Sequence, residues 1–496
     1  MRGTMRARAL SAGFIVSIAV GVAACGGGGG GGGGRSSTSG AGVTPAGTPA
    51  YVAINSDLGS DQWKKLKSLV NKFPDHAQAI GLLEASLSNQ GIDYDKDVKP
   101  ALGKEVDVAW IDLQNNGGDV VLLTKPKNEG KFKQLLKKSN RSGSRTYSAK
   151  LSNGWYVVGN SQSSVNSFKS KSGGKKLGAD KSFKDAMSHL SGASLATAYV
   201  NGQAIASALN TANAAPGGSQ PAPFNLDKLQ YIAVRAKSQG DGLRLEGVVK
   251  GAGAPGSGSP TFKSKLIDGV PAGAIAFATF HGGSALNKQI QSLQNSPQFQ
   301  SQLQQFERAF GVRLQDVLAL VQNEVALYVR QGSPLPEFTL VLEEPNLQSS
   351  LATLDRLAAG VARRTHAQVT SGNQGGVSTK TITFPKFAVT YGGFDDRIVI
   401  TSSASGIRDY KSGGSKLSGD SVYKSATSSG GVPHKTSGML YVNLKDGVPL
   451  VENYATTAGT TVPPVVQRNL APLRAFVAYG TGESKLAKFT AFLQIK

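Results

Sequence analysis

Few residues in this chain of 496 have the types and spacing that catalysis or metal binding requires. Ser421 and Lys424 fit the Ser-x-x-Lys form of penicillin-recognising enzymes, but Lys435 follows after only eleven residues and begins Lys-Thr-Ser instead of Lys-Thr-Gly. The five histidines stand singly, without a second ligand at metal-binding spacing, and no G-x-S-x-G elbow is present. We therefore expect no catalytic residue, no metal site and no cofactor, and predict that the protein is not an enzyme. A Ser-His-Asp triad assembled only in space is the alternative left open.

A Lys-Ser-Gly-Gly segment occurs at 171–174 and again at 411–414. Two glycines beside lysines can form a backbone nest for an anion, although the phosphate-loop pattern G-x-x-x-x-G-K-[ST] is absent. The alternative is a turn that leads into a core leucine, a helix-capping aspartate and an inward-facing aromatic residue. These residues are Leu177, Asp180 and Phe183 after the first segment and Leu417, Asp420 and Tyr423 after the second. We favour the structural interpretation.

The amino terminus has the pattern of an exported protein. Arg2, Arg6 and Arg8 give it a positive start, and an apolar stretch follows from Ala12 to Ala24. At about 1.5 Å per residue, a helix of this length reaches about 20 Å, which is short of the ~30 Å hydrocarbon layer of a bilayer. The stretch is therefore predicted to be the core of a signal peptide and not a membrane span.

Cys25 is the only cysteine in the chain, and it directly follows this apolar stretch. Val22, Ala23 and Ala24 before it resemble the bacterial lipobox, in which a peptidase grips small residues and the cysteine thiol is joined to diacylglycerol. A buried free thiol is the alternative, but the nine consecutive glycines that follow Cys25 give it no core to occupy. We predict a lipoprotein signal peptide over residues 1–24 and lipidation of Cys25.

A tether is predicted to follow the lipidated cysteine. Residues 26–48 are mostly Gly, Ser, Thr, Ala and Pro with one charge, Arg35, and such a chain behaves as a flexible coil that spans about 25 Å. Residues 25–48 are therefore predicted to be the lipidated cysteine and its tether. Acyl chains on Cys25 would anchor the protein, outside the cytoplasm, to the outer face of the cytoplasmic membrane, which makes the membrane its first expected partner.

The remainder of the chain is predicted to be a duplicated unit. Residues 171–186 and 411–426 are identical at nine of sixteen positions without a gap. Further matched pairs are Pro49-Ala50 with Pro271-Ala272, Glu105-Val106 with Glu324-Val325, and Tyr199-Val200-Asn201 with Tyr441-Val442-Asn443. The offset grows from about 220 to 240, so the second copy has some twenty extra residues between Val329 and Lys411. We predict repeats over 49–252 and 266–496, joined by a linker at 253–265.

Each repeat is predicted to have an α+β fold, with a mainly antiparallel sheet that amphipathic helices partly cover. Apolar residues recur at helical spacing before Pro74, at Trp63, Leu66, Leu69, Val70 and Phe73. Val106, Val108 and Trp110 alternate as in a strand, and the turn Asn115-Asn116-Gly117-Gly118 leads into the next strand. Ser296-Pro297 is predicted to begin a helix in the second repeat.

The chain resembles the family called domain of unknown function 3352, found in actinobacterial and related envelope proteins. The resemblance lies in the Pro-Ala strand openings, the Glu-Val strands and two later strands, Trp155-Tyr156-Val157-Val158 and Arg397-Ile398-Val399-Ile400. It covers nearly all of residues 49–496. The resemblance implies an envelope protein and transfers no catalytic residue.

Positive charge is concentrated in one part of the first repeat. The whole chain has 54 basic and 32 acidic residues, and between Lys125 and Lys184 there are fifteen basic residues and two acidic ones. A solvated lysine-rich surface is one interpretation, and contact with anionic lipid headgroups or acidic wall polymers is the other. The residues considered for such contact are Lys125, Lys127, Lys131, Lys133, Lys137 and Lys138. Nucleic acid is not expected as a partner of an exported protein without a recognition motif.

These observations favour a lipid-anchored envelope protein with a non-catalytic binding or structural role. A carrier that holds a lipid or other apolar ligand in a cavity between a sheet and its helices is the alternative. A hydrolase that acts on cell-wall material is a weaker one. The identity of a ligand, the oligomeric state and the packing of the two repeats do not follow from the sequence.

Overall fold

The computed structural model describes residues 38–113, 119–141, 145–213, 228–251, 260–283, 297–333, 335–457, 459–483 and 485–496. The signal peptide, the lipobox residues Val22, Ala23 and Ala24, the lipidated Cys25 and the first part of the tether lie outside these ranges and remain predictions. None of the helices in these ranges combines the length and apolarity that crossing a bilayer requires.

Strands and helices are interspersed in the first half of the chain. The strands are β1 (Ala50–Asn55), β2 (Glu105–Asp112), β3 (Asp119–Thr124), β4 (Tyr147–Lys150), β5 (Tyr156–Gly159), β6 (Ala196–Asn201), β7 (Leu229–Gln239) and β8 (Gly242–Gly251). The helices are α1 (Asp61–Val70), α2 (His76–Ser88), α3 (Glu129–Arg141), α4 (Gln162–Lys171), α5 (Lys181–Ser188) and α6 (Gly202–Asn213). The predicted amphipathic helix is α1, where Trp63 and Leu69 are buried and the Trp63 indole N–H donates to the Asn55 carbonyl at 2.6 Å.

The second half repeats this order with additions. Its strands are β9 (Ala276–His281), β10 (Glu324–Arg330), β11 (Glu337–Glu343), β12 (Gln368–Gln374), β13 (Val377–Thr383), β14 (Ala388–Phe394), β15 (Arg397–Thr401), β16 (Gly438–Asn443), β17 (Leu473–Glu483) and β18 (Leu486–Ile495). Its helices are α7 (Pro297–Phe310), α8 (Leu314–Ala319), α9 (Leu347–Thr365), α10 (Gly406–Ser412), α11 (Ser421–Gly430), α12 (Leu444–Thr457) and α13 (Pro464–Leu470). Pro297 is helical in α7, whereas Ser296, its predicted N-cap, lies outside the described residues.

All eighteen strands belong to one antiparallel sheet. Their pairings give the order β4-β5-β3-β2-β1-β6-β7-β8 in the first half. The order continues through β8 to β18-β17-β16-β9-β10-β11-β15-β14-β13-β12 in the second half. The α+β class and the two repeats are confirmed. The extra residues of the second half include the β12–β13 hairpin, which has no counterpart in the described part of the first half.

The two halves join through β8 and β18, the last strands of their equivalent hairpins. Nine residue pairs connect these strands, from Gly242 opposite Gln494 to Lys250 opposite Leu486. By the register within each hairpin, Glu246 of β8 corresponds to Thr490 of β18, and these two residues also lie opposite each other. The junction therefore has the register of a two-fold axis that passes through this pair.

Both large cores lie on one face of the sheet, which we name the helix face. In the first half α4, α5 and two short 3-10 turns pack there, and in the second half α10, α11 and the matching turns do so. Opposed residues in an antiparallel sheet project to the same side, so the face can be followed across the junction. Leu486 of β18 belongs to the first core, and Phe492, on the same side of β18, lies opposite Val477 of the second.

Part of the predicted tether belongs to the folded first half. Ser39–Gly42 form a 3-10 turn, and Ala41 and Val43 lie in the first core. The turn is held because Glu105 accepts hydrogen bonds from the Ser39 hydroxyl at 2.7 Å and the Gly40 N–H at 2.9 Å. The boundary predicted at residue 49 is therefore too late, since residues 38–48 are already folded.

The start of the second half is also earlier than predicted, because Phe262 pairs with Thr436 and Glu324 accepts from the Ser264 hydroxyl and the Lys265 N–H. Residues 260–265 therefore do not belong to a linker.

The match of Pro49-Ala50 with Pro271-Ala272 also needs correction. Pro45 bridges to Lys176 in the same way that Pro271 bridges to Lys416, so Pro45-Ala46 is the equivalent of Pro271-Ala272. The sequence contains two Pro-Ala pairs four residues apart, and only the backbone pairing distinguishes them.

The turns after the Lys-Ser-Gly-Gly segments have the structural role that the sequence favours. Leu177 and Leu417 are fully buried. Asp180 accepts from the Phe183 N–H at 3.0 Å, and Asp420 accepts from the Val422 and Tyr423 N–H groups at 2.8 and 2.9 Å. Both aspartates are thus N-caps, of α5 and α11 respectively.

Candidate functional site

Opposite the helix face, two rows of apolar residues cross eleven neighbouring strands from β2 to β11. We name these two rows the apolar face. One row is Val106, Ile54, Ala196, Ala236, Leu245, Ala491, Ala478, Leu440, Ala278, Leu327 and Leu340. The other row is Val108, Val52, Ala198, Val234, Gly247, Phe489, Gly480, Gly438, Phe280, Val325 and Leu342. Ten inter-strand steps of about 4.8 Å give each row a length of about 48 Å.

Several large side chains of this face are exposed. Phe280 is 47% exposed, Leu327 41%, Leu245 40% and Leu440 39%, and Phe338, beside Leu340 on β11, is 51% exposed. On the helix face of the same eleven strands, no large apolar side chain within the described ranges is comparably exposed. The exposed apolar surface is therefore a property of one side of the sheet.

Small residues separate the large side chains of the apolar face. Alanine occupies five of the eleven positions in the first row, and glycine three in the second. A Cβ on Gly247 would lie 2.1 Å from Cζ of Phe489, so the glycine allows the phenyl ring to lie across the neighbouring strand. The result is a shallow strip whose side chains contain no hydrogen-bond donor or acceptor.

A helix closes each end of this strip. Near β2, Phe132 and Leu135 of α3 share a small core with Val106 of the first row. Near β11, Leu354 and Ala358 of α9 share a core with Val325 of the second row. Both helices lie on the same side of the sheet as the apolar face.

The six predicted lysines lie together at the α3 end. Lys125 and Lys127 lie between β3 and α3, and the other four are on α3. Lys133 pairs with Glu129 at 2.8 Å, and Lys138 donates to both carboxylate oxygens of Asp97, at 2.8 and 2.6 Å. Within the described ranges the remaining four lysines have no ion pair, and their side chains are exposed: Lys125, Lys127, Lys131 and Lys137.

Two carboxylates near α3 are perturbed by these lysines. Hydrogen bonds from Lys133, Lys150 and Tyr156 lower the pKa of Glu129 to about 2. Burial acts to raise the pKa of Asp97, but the hydrogen bond from Lys138 and the charges of Lys138 and Lys131 hold it below its usual value. Both carboxylates are therefore already engaged by lysines.

A buried acidic pair lies on the helix face of the first half. Asp107 is fully buried two residues after Glu105, and its carboxyl oxygens have no hydrogen-bond partner in the described structure. Burial raises the pKa of Asp107 well above its ordinary value, and the charge of Glu105 raises it further. Tyr51 lies beside the pair, and burial also raises its pKa. By strand register, the second half has Phe277 and Ala326 in place of Tyr51 and Asp107.

The other residues considered from the sequence do not converge on a site. Ser421 and Lys424 form the first turn of α11 behind the Asp420 cap. In the described ranges, no group of three or more His, Cys, Asp and Glu residues has a geometry that could hold a metal ion.

Sequence reasoning did not identify the apolar face. Its signal is present in strands such as β1, Ala-Tyr-Val-Ala-Ile-Asn, which are apolar at nearly every position instead of alternating. Runs of this kind predict strands covered on both faces, so the exposure becomes visible only in the folded sheet.

A family model described as "Protein of unknown function (DUF3352)" matches residues 9–144 and 134–495 of this chain. Among curated proteins, none matches it.

Two solved structures show a weak likeness. "Structure of crystal form IV of TP0453" is 13% identical, with a TM-score of 0.23, and the match covers 44% of this chain and 76% of that one. "Structure of crystal form I of TP0453" is 9% identical, with a TM-score of 0.19, and the match covers 74% and 96%. Such low TM-scores support no conclusion about fold or function.

Proposed function

Because this chain belongs to the DUF3352 family, whose function is unknown, we propose a function from its own residues. It is a non-catalytic, lipid-anchored protein of the extracytoplasmic envelope that binds an apolar ligand on the apolar face. The observation that supports this proposal is the set of exposed large side chains, Phe280, Leu327, Leu245 and Leu440, in two rows that contain no polar side chain. Among the roles that the sequence analysis left open, the apolar face favours a carrier of a lipid or other apolar ligand.

The exposed apolar surface is comparable in size with the patches that proteins use for binding. Four row residues and Phe338 together leave on the order of 400 Å² of apolar surface uncovered. The largest contiguous apolar patch of a monomeric protein is typically about 300–600 Å² and is often functional. At about 25 cal/mol per Å², covering it would contribute on the order of 10 kcal/mol before the costs of association.

The chemistry of the face favours hydrocarbon over a protein partner. A protein interface has about one hydrogen bond per 100–200 Å² of buried surface. The row side chains offer none, and the backbone groups of these strands are used in pairing with their neighbours. Acyl chains need no hydrogen bonds and match such a surface.

The proposed anchor places the protein where such ligands occur. Acyl chains on Cys25 and the glycine-rich segment after it would keep the folded halves close to a bilayer. A lipid that leaves the bilayer would then meet the apolar face without diffusing through bulk water.

Titration of a fatty-acid probe tests the proposal. The full mature chain from residue 25, with Cys25→Ser so that it has no acyl chains of its own, is titrated with cis-parinaric acid while fluorescence is followed. We expect saturable binding. Leu327→Glu and Leu440→Glu should each weaken it at least ten-fold, because a carboxylate would be desolvated against hydrocarbon.

Val369→Glu is the matched control. Val369 is 40% exposed on β12, beyond the end of the rows, and undergoes the same change of charge. It should bind the probe as the parent chain does. Absence of saturable binding to the parent chain, or equal weakening by all three substitutions, would contradict the proposed function.

A further inference from the structure

The apolar face has a positively charged end, and this inference rests on the proposed function. We infer that the apolar ligand is an anionic glycerophospholipid, with its acyl chains on the apolar face and its phosphate at the lysines of α3. The positions of the lysines, their unequal pairing and the contrast with α9 support this assignment.

The α3 lysines are close to the end of the rows. The turn Tyr94–Val98 shares its core with Val106, the first residue of a row. Lys138 of α3 donates to Asp97 in that turn at 2.8 Å, and Phe132 and Leu135 share the same core, so α3 packs at this end of the rows. The axis of a packed helix lies about 10 Å from its neighbour, which leaves the long lysine side chains of α3 within reach of a headgroup whose acyl chains lie on the strands.

The charges at this end are not balanced. Asp97 is already engaged by Lys138, and Glu129 by Lys133 and Lys150. Lys125, Lys127, Lys131 and Lys137 have no ion pair in the part of the chain that the structure describes. An anionic group that docks here would meet several positive charges and would not have to displace an existing partner.

The equivalent helix at the other end of the face differs. Arg356 of α9 donates to the Thr353 hydroxyl and lies 3.8 Å from Asp316, and the Arg364 guanidinium lies over the Phe310 ring. Two of the three arginines of α9 are thus engaged within the protein, and in the described ranges only Arg363 has neither an ion pair nor a cation–π contact, against four such lysines at the α3 end. The phosphate is therefore assigned to α3.

Two soluble phospholipids test the assignment. Dioctanoyl phosphatidylglycerol and dioctanoyl phosphatidylcholine, each below its critical micelle concentration, are titrated into the mature Cys25→Ser chain by calorimetry. We expect phosphatidylglycerol to bind about ten-fold more tightly at low salt, with the preference decreasing as salt screens the lysines. Lys131→Gln with Lys137→Gln should reduce phosphatidylglycerol affinity to that of phosphatidylcholine and leave phosphatidylcholine binding unchanged.

Lys181→Gln with Lys184→Gln is the matched control, because both are exposed lysines of α5 on the helix face. It should leave the preference intact. Equal affinity of the parent chain for both lipids would overturn the headgroup assignment and leave the proposed function standing. If the preference for phosphatidylglycerol appears only with vesicles and not with the soluble lipid, the lysines contact the bilayer surface. That result would also overturn the headgroup assignment. No binding of either lipid would contradict the proposed function itself.

Discussion

The cores of the two halves differ in polarity at Asp107 and Tyr51, where the second half has Ala326 and Phe277. A Cβ on Gly40 would lie 1.6 Å from Oδ2 of Asp107, so the carboxyl group packs directly beneath the turn that begins the fold. Glu105, Tyr51 and Trp155 complete its surroundings. The second half keeps only the glutamate, Glu324, whose carboxylate accepts from the Thr279 hydroxyl at 3.0 Å.

Asp107 should make the stability of the first half depend on pH. A carboxyl group whose pKa is raised on folding stabilises the protein fully below its unfolded pKa of about 4, and this contribution is lost as pH rises toward the folded pKa. The free energy of unfolding should therefore fall above pH 4 by up to about 1.4 kcal/mol per pH unit. Asp107→Ala, the residue type found at Ala326, should flatten this decrease in urea denaturation at several pH values.

Asp61→Ala is the control for this measurement, since the Asp61 side chain is 72% exposed. It should leave the pH profile as in the parent chain. A profile unchanged by Asp107→Ala would show that the carboxyl group does not titrate differently on folding.

Glu105 shows why the start of the first repeat could not be predicted correctly from the sequence. The Glu-Val pairs could be recognised as repeated strand openings. The hydrogen bonds that Glu105 accepts from Ser39 and Gly40, however, span 65 residues or more. Residues 38–48 are small and polar enough to resemble the tether, and only this distant carboxylate and the core around Ala41 fix them.

Helix caps were the most predictable feature at the scale of elements, because they depend on a few adjacent residues. Asp180 and Asp420 were identified from the residues that follow each Lys-Ser-Gly-Gly segment, and both cap as expected. Strand β12 was not predicted. Its sequence Gln-Val-Thr-Ser-Gly-Asn-Gln lacks apolar alternation, and nearly all of it is exposed, so pairing with β13 and not burial defines it.

Removal of a cap should have a modest and local cost. Asp420→Ala deletes the acceptor of two N–H groups at the start of α11, which should lower the free energy of unfolding by about 1 kcal/mol in urea denaturation. Asp420→Asn keeps a side-chain acceptor and should lose less than half of that. Equal losses for the two substitutions would mean that the effect comes from charge and not from capping.

At the scale of the whole molecule, the duplication and the α+β class could be predicted because they depend on repeated local patterns. The single continuous sheet could not, since the β8–β18 pairing joins residues more than two hundred positions apart. The exposed apolar face of that sheet could not be predicted for the same reason. It depends on which helices pack on each face and not on any one strand.

Attachment of the whole molecule to a membrane is predicted to depend on one thiol. Cys25→Ala removes the sulfur that would carry diacylglycerol, so labelled fatty acid should no longer enter the protein, and the precursor should keep its signal peptide. Ser36→Ala in the tether is the control and should be labelled normally. Label that still enters the Cys25→Ala chain would show that the lipidation site was assigned wrongly.

The two-fold register at the β8–β18 junction has a consequence for the history of this chain. If both copies had glutamate at this position, two carboxylates would face each other across an antiparallel pair, about 5 Å apart, where like charges are destabilising. With Thr490 opposite Glu246, that repulsion is absent. Arg235 donates a hydrogen bond to the Glu246 carboxylate, and Lys237 forms an ion pair with it. A separated first half could no longer reassemble with a copy of itself in this register without restoring the conflict, so divergence at a single position makes the fusion difficult to reverse.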